Sequence, residues 1–163
     1  RPNAMKHLLS IAAFVGVLAF SACAHAQLPP NPAGPTDPLN IVSAGKTHAF
    51  KVELADTPQE TELGLMNRAT MAKDHGMIFE FRPARDVSMW MKNTFIPLDM
   101  LFIDDKGTVL AIAENARPGS LRLVGPGFPV SSVLELNGGV TKELGIKTGD
   151  KVQHKLFKNL NGG

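Results

Sequence analysis

The stretch Leu98-Asp99-Met100-Leu101-Phe102-Ile103-Asp104-Asp105-Lys106-Gly107-Thr108-Val109-Leu110-Ala111-Ile112-Ala113 decides the architecture. Its first half is almost continuously apolar, the composition of a strand buried on both faces. Asp104 to Gly107 carries turn chemistry, and Gly107 can take a positive φ without steric cost. Thr108 to Ala113 is a second β-prone run, so the segment predicts an antiparallel hairpin whose first arm is a central strand.

Working outward, His48 to Leu54 alternates, with Phe50, Val52 and Leu54 on one face and Lys51 and Glu53 on the other. That period of two predicts a half-buried strand. Gly76 to Phe81, Val87 to Thr94, Ser131 to Leu136 and Lys151 to Phe157 read as further strands. Thr57-Pro58-Gln59-Glu60 predicts a helix start, with Thr57 as cap, Pro58 at the first helical position and Glu60 closing a capping box. This short helix should end near Asn67-Arg68, and a second, Val140 to Leu144, should be closed by Gly145. The expected fold is mainly β (a β-rich α+β domain): a compact antiparallel β sandwich or distorted barrel with two short helices.

The N-terminal segment has the pattern of an export signal. Met5-Lys6-His7 is a basic start, Leu8 to Phe20 is apolar, and Ala24-His25-Ala26 offers small residues for cleavage. Residues 1–26 are therefore expected to be a signal peptide, with residues 1–4 lying upstream of the start, and the protein to be periplasmic or secreted after cleavage near Ala26. Phe20-Ser21-Ala22-Cys23 loosely resembles a lipoprotein processing site, so membrane attachment is expected only if Cys23 is lipidated. Pro29, Pro30, Pro32, Pro35 and Pro38 predict an extended linker over residues 27–43. A single β-rich domain over 44–158 and a tail over 159–163 complete the organisation.

Removing 26 of the 163 residues leaves 137, with no cysteine. Such a domain must reach stability through its core alone, which this length allows. The removed segment takes Arg1 and Lys6 with it, leaving 15 basic and 15 acidic residues. Without clustered Lys and Arg, no nucleic-acid partner is expected. His48, His75 and His154 are widely spaced, so no metal and no cofactor are expected. No nucleophile elbow of the Gly-x-Ser-x-Gly type occurs, and no catalytic residue is assigned.

Chemistry concentrates in Met89-Trp90-Met91-Lys92-Asn93-Thr94-Phe95-Ile96-Pro97-Leu98-Asp99, which sets the only tryptophan beside a cation, an amide and a carboxyl. As a strand, it would place Ser88, Trp90, Lys92 and Thr94 on one face. Lys92 beside an indole could grip an anion while the ring stacks, or simply pair with Asp99 or Glu135. Arg68 could fork a carboxylate or phosphate, or satisfy the last carbonyls of the first helix. Asp99 and Glu135 lie in apolar runs and need partners: Asp99 could hold Arg68, Lys92 or backbone amides, or act as a general base.

The order of features resembles the bacterial and archaeal family called domain of unknown function 192. The resemblance rests on Gly64-Leu65-Met66-Asn67-Arg68, Gly76-Met77-Ile78-Phe79, Trp90-Met91-Lys92-Asn93-Thr94, Ile96-Pro97-Leu98-Asp99, Val133-Leu134-Glu135-Leu136 with Gly138-Gly139, and Gly149-Asp150. It implies a compact, mainly β domain that is often exported. It carries no established catalytic residues, so none is transferred.

The expected function is non-enzymatic binding of a small-molecule or glycan-like ligand in the cell envelope. The expected pocket gathers Arg68, Trp90, Lys92, Asn93, Asp99 and Glu135 beneath a loop over 115–129. One alternative is an envelope hydrolase using Asp99 and Glu135 as an acid and base pair, which requires both carboxyl groups in one cleft. Another is a protein-partner module displaying an apolar patch.

Overall fold

The computed structural model describes residues 29–160. The expected signal peptide, its expected cleavage site and Cys23 lie outside the described residues. Seven strands, β1 (Asp37–Ser43), β2 (Lys46–Ala55), β3 (His75–Arg85), β4 (Leu98–Ile103), β5 (Val109–Ala116), β6 (Val130–Asn137) and β7 (Lys151–Gln153), form one sheet in the order β5-β4-β6-β3-β2-β1-β7. Two helices of five or six residues, α1 (Pro58–Leu63) and α2 (Val140–Leu144), connect them.

All the strand pairs are antiparallel except β2 with β3, which run parallel because α1 and the turn after it form a crossover between them. The sheet curls until its two edges meet. Thr108 bridges Lys151, and Val152 N–H donates to the Gly107 carbonyl at 2.7 Å. Gly107 is required twice here: its φ is +80°, and a Cβ would lie 2.3 Å from the Val152 carbonyl oxygen. The mainly β fold is therefore a curled, barrel-like sheet rather than a sandwich.

Alternation divides the sheet into two apolar faces. One carries Ile41, Val52, Ile78, Leu101, Leu134 and Val152. The opposite face carries Met77, Phe79, Met100, Phe102 and Val133, covered by Leu65, Met91 and Ile96 from the loops. Full burial of each such side chain contributes about 1.5–3 kcal/mol. The two faces together supply the core, with no disulfide among the described residues.

α1 ends at Leu63 rather than near Asn67-Arg68, and three further elements differ from the sequence reading. The Pro-rich stretch is not a free linker as far as residue 43, because Asp37 to Ser43 is β1, with Leu39 and Ile41 fully buried. Upstream of it, the Asn31 amide donates to the carbonyls of Gly64 and Met66 at 2.9 and 2.8 Å. Residues 87–94 are not a strand; only Met89 is bridged, to Val124. The last strand stops at Gln153 because His154 caps a 3-10 turn over Lys155–Phe157, its Nδ1 accepting from Leu156 N–H.

Candidate functional site

The six residues expected to form one pocket are distributed over three places. Asp99 is on the barrel-interior side with Leu101 and Ile103, fully buried. Its Oδ1 accepts from the N–H groups of Asn115 and Gly139 at 2.8 and 3.0 Å. Its Oδ2 accepts from the N–H and hydroxyl of Thr141 at 2.9 and 2.7 Å. Gly139 is the N-cap of α2 and has no side chain to cap with, so Asp99 satisfies the open helix start from a neighbouring strand. Of the roles left open for Asp99, the geometry is that of a holder of backbone amides.

Arg68 is also buried, and its guanidinium forks both oxygens of Glu53 at 2.5 and 2.8 Å. It neither touches Trp90 nor closes α1. Burial works to raise the Glu53 carboxyl, but the Arg68 hydrogen bond, the Gly34 N–H and the Arg68 charge outweigh it and hold the group below its ordinary value. This pair pins β2 to the turn that follows α1. Arg68→Lys keeps the charge but loses the planar fork, and should lower stability by about 1–2 kcal/mol in urea unfolding. A loss below about 0.5 kcal/mol would show that the fork geometry is unimportant.

Trp90 and Glu135 do come together. They line a crevice of about 30 Å³ with Thr61, Glu62, Leu63, Gly64, Leu65, Met66, Phe79, Met89 and Thr94. Its roof is the end of α1 and the following turn, not the 115–129 loop. That loop instead braces the tryptophan segment from beside it, through the Met89–Val124 bridge and the Met91 N–H to Ser120 carbonyl bond of 2.9 Å. The Lys92 ammonium lies 5.0 Å from the centre of the Trp90 ring, a cation–π contact. Asn93 adopts a left-handed turn, φ +52°, which its short polar side chain tolerates. The Asn93 carbonyl accepts from Asn67 N–H at 2.8 Å, tying the tryptophan segment to the α1 turn.

Glu135 forms the floor. On β6 it shares a face with Val133 and pairs across to Met77 and Met100. It is 4% exposed. Among the described residues its carboxyl has no ion-pair or hydrogen-bond partner, and burial alone pushes its pKa up from 4.5 to about 8. The acid is therefore neutral at pH 7, able to donate a hydrogen bond or release a proton to a guest. Trp90 at the rim is 41% exposed.

This arrangement removes the paired-carboxylate alternative. Asp99 and Glu135 project from opposite faces of the sheet and cannot flank one scissile bond. The crevice also includes residues that the sequence reading did not single out: Thr61, Glu62, Phe79 and Thr94. Phe79 and Thr94 fall within segments that carry the family resemblance, and Thr61 and Glu62 shortly precede Gly64-Leu65-Met66.

A mixed-charge groove of about 710 Å³, lined by Asp56, Glu80, Arg82, Arg85 and Asp86 among others, adjoins the crevice through the shared residues Thr61, Glu62 and Met89. Among the described residues no group of three or more His, Cys, Asp and Glu side chains is placed to hold a metal.

The sequence profile of domain of unknown function 192, described as an uncharacterized ACR, matches residues 40–154. The chain belongs to this family. Several solved structures are similar to it, two of them as follows. A Sinorhizobium meliloti 1021 protein with the provisional label of transcription regulator is 46% identical, with a TM-score of 0.74 over 77% of this chain and 98% of that one. A protein of unknown function from Novosphingobium aromaticivorans DSM 12444 is 38% identical, with a TM-score of 0.72 over 77% of this chain and 91% of that one. No curated protein matches the chain. The family thus brings a fold without an activity, and the crevice has to be read from its own chemistry.

Proposed function

We propose that the domain is a non-enzymatic binding module of the cell envelope, taking the head of a small or glycan-like ligand into the crevice between Trp90 and Glu135. The observation that supports this reading is the bare Glu135 carboxyl. Without a protein partner, that carboxyl leaves hydrogen-bonding capacity at the crevice that a ligand can take up. Trp90 offers a ring for stacking at the rim, and the adjoining groove gives room for the rest of a larger ligand. The envelope placement rests on the export pattern of Met5 to Ala26 alone.

A nucleic-acid reading, prompted by the label of the Sinorhizobium protein, is less well supported in this chain. Arg82 and Arg85 in the groove are interleaved with Asp56, Glu62, Glu80 and Asp86, and Arg82 is paired with Glu80. That pattern opposes a phosphate backbone rather than attracting it.

A thermal-shift panel of envelope glycans, amines, carboxylates and nucleotides tests the reading. A ligand at about 100 times its Kd adds roughly 2.7 kcal/mol, which raises Tm by several degrees in a domain of this size. The expected result is a hit lost in both Trp90→Ala and Glu135→Gln. A flat panel, or a hit unchanged in both variants, would contradict it.

A further inference from the structure

Resting on the crevice as the binding site, we propose that the group it receives is a cationic amine, an ammonium head carried by an alkyl chain or an amino sugar. Three observations point that way. Two of the crevice residues, Glu135 and Glu62, are acids, and none is a base. The remaining walls are the aromatic rings of Phe79 and Trp90, the Met66 and Met89 thioethers, aliphatic carbons and the hydroxyl-bearing Thr61 and Thr94, which suit a soft cation and its first methylenes. The volume of about 30 Å³ admits one ammonium-sized group and no sugar ring.

Charge matching favours an amine over an anion or a neutral guest. An anionic head would meet two acids and no donor charge. A neutral acceptor could take one hydrogen bond from protonated Glu135 but would leave Glu62 idle. An ammonium would hydrogen-bond to Glu135, drive out its proton and gain a charge-assisted contact of the strong kind. The charged groups near Glu135 are few. Glu62 approaches from α1, Lys92 sits over Trp90, and β3 and β4 present Met77, Phe79 and Met100.

The proton release gives the amine a signature. At pH 7 most Glu135 carboxyls are protonated, and binding must displace that proton; at pH 9 most are already ionised. An alkylammonium, with a pKa near that of lysine at about 10.4, stays charged throughout. Its affinity should therefore rise about tenfold between pH 7 and pH 9. A neutral acceptor that needs the protonated acid should weaken over the same range.

The chain contains one tryptophan and no tyrosine, so its intrinsic fluorescence reports Trp90 alone. The experiment is a fluorescence titration with n-butylammonium chloride, n-butanol and N-methylacetamide at pH 7 and pH 9, with glucosamine against glucose at pH 7 to separate amino sugars from alkyl amines. The expected result is saturable quenching or a spectral shift with butylammonium, about tenfold tighter at pH 9. It should be lost in Glu135→Gln and in Glu135→Ala, both with unchanged circular dichroism. Equal or tighter binding of butanol or N-methylacetamide, weakening as pH rises, would overturn the amine and keep the crevice as a site. No saturable response to any probe would overturn both.

Discussion

Asp99→Ala should cost roughly 4–5 kcal/mol of unfolding free energy. The substitution removes one buried acceptor that four donors share: the N–H groups of Asn115, Gly139 and Thr141 and the Thr141 hydroxyl. Each buried donor left unmade costs about 1–3 kcal/mol, partly relieved by rotation of the hydroxyl and by entry of water. The sum approaches the upper end of single-site effects. Asp99→Asn should fall between, because its oxygen can still serve one pair of donors while its NH2 group faces the other. Urea unfolding gives the magnitudes, and hydrogen exchange gives the location, with protection lost first at Gly139 and Thr141. A loss under about 1 kcal/mol for the alanine variant would mean that the α2 start is held by something else.

The second large effect is a gain. Glu135→Gln should stabilise the domain by roughly 3–5 kcal/mol at pH 9 and by little at pH 4. The sign follows from the raised pKa. Between 4.5 and about 8 the folded acid keeps a proton that the unfolded chain has released. Stability conferred by the protonated acid is therefore complete below 4.5, declines through that window and levels off above 8. A glutamine carries no charge to desolvate and escapes the decline. The test is Tm of both proteins from pH 4 to pH 9, and the two curves should separate as pH rises. Parallel curves would show that Glu135 ionises freely. A group that lowers stability in this way fits the binding role proposed for the crevice, where stability and function compete.

Much of the fold is legible in the sequence because local chemistry and tertiary role agree there. The Leu98 to Ala113 run gives a hairpin, since its apolar residues have nowhere to go but a doubly covered strand. The capping box of Thr57 and Glu60 forms with both reciprocal bonds, and Gly145 closes α2 in the left-handed conformation. Legibility fails where partners are distant in sequence. Asp37 to Ser43 hides a strand behind prolines, because the sequence alone does not show that Leu39 and Ile41 meet β2 and β7. Residues 87–94 have strand composition, yet their backbone groups bond to Ser120, Val124 and each other instead of a sheet neighbour.

The site divides in the same way. Trp90 and Glu135 were identifiable as buried or half-buried groups with unusual neighbours. Which face each occupies is not, because a turn at Lys92-Asn93 breaks the alternation around Trp90 and β6 is buried on both faces around Glu135. Glu53 is the clearest case. Period two places it on the outer face of β2, but 15 residues later Arg68 folds back over it and makes that face an interior. Asp99 is the converse: its burial was legible, whereas the helix start that it satisfies lies 40 residues away.

Glu135 is an acid held without a partner at the floor of the crevice. This state is tested most directly by following the Glu135 side-chain carboxyl carbon by 13C NMR from pH 3 to pH 10. A single titration near 8 is expected, displaced downward when n-butylammonium is present. Titration near 4.5 with no response to the amine would contradict it, leaving the crevice as a solvated surface feature rather than a site.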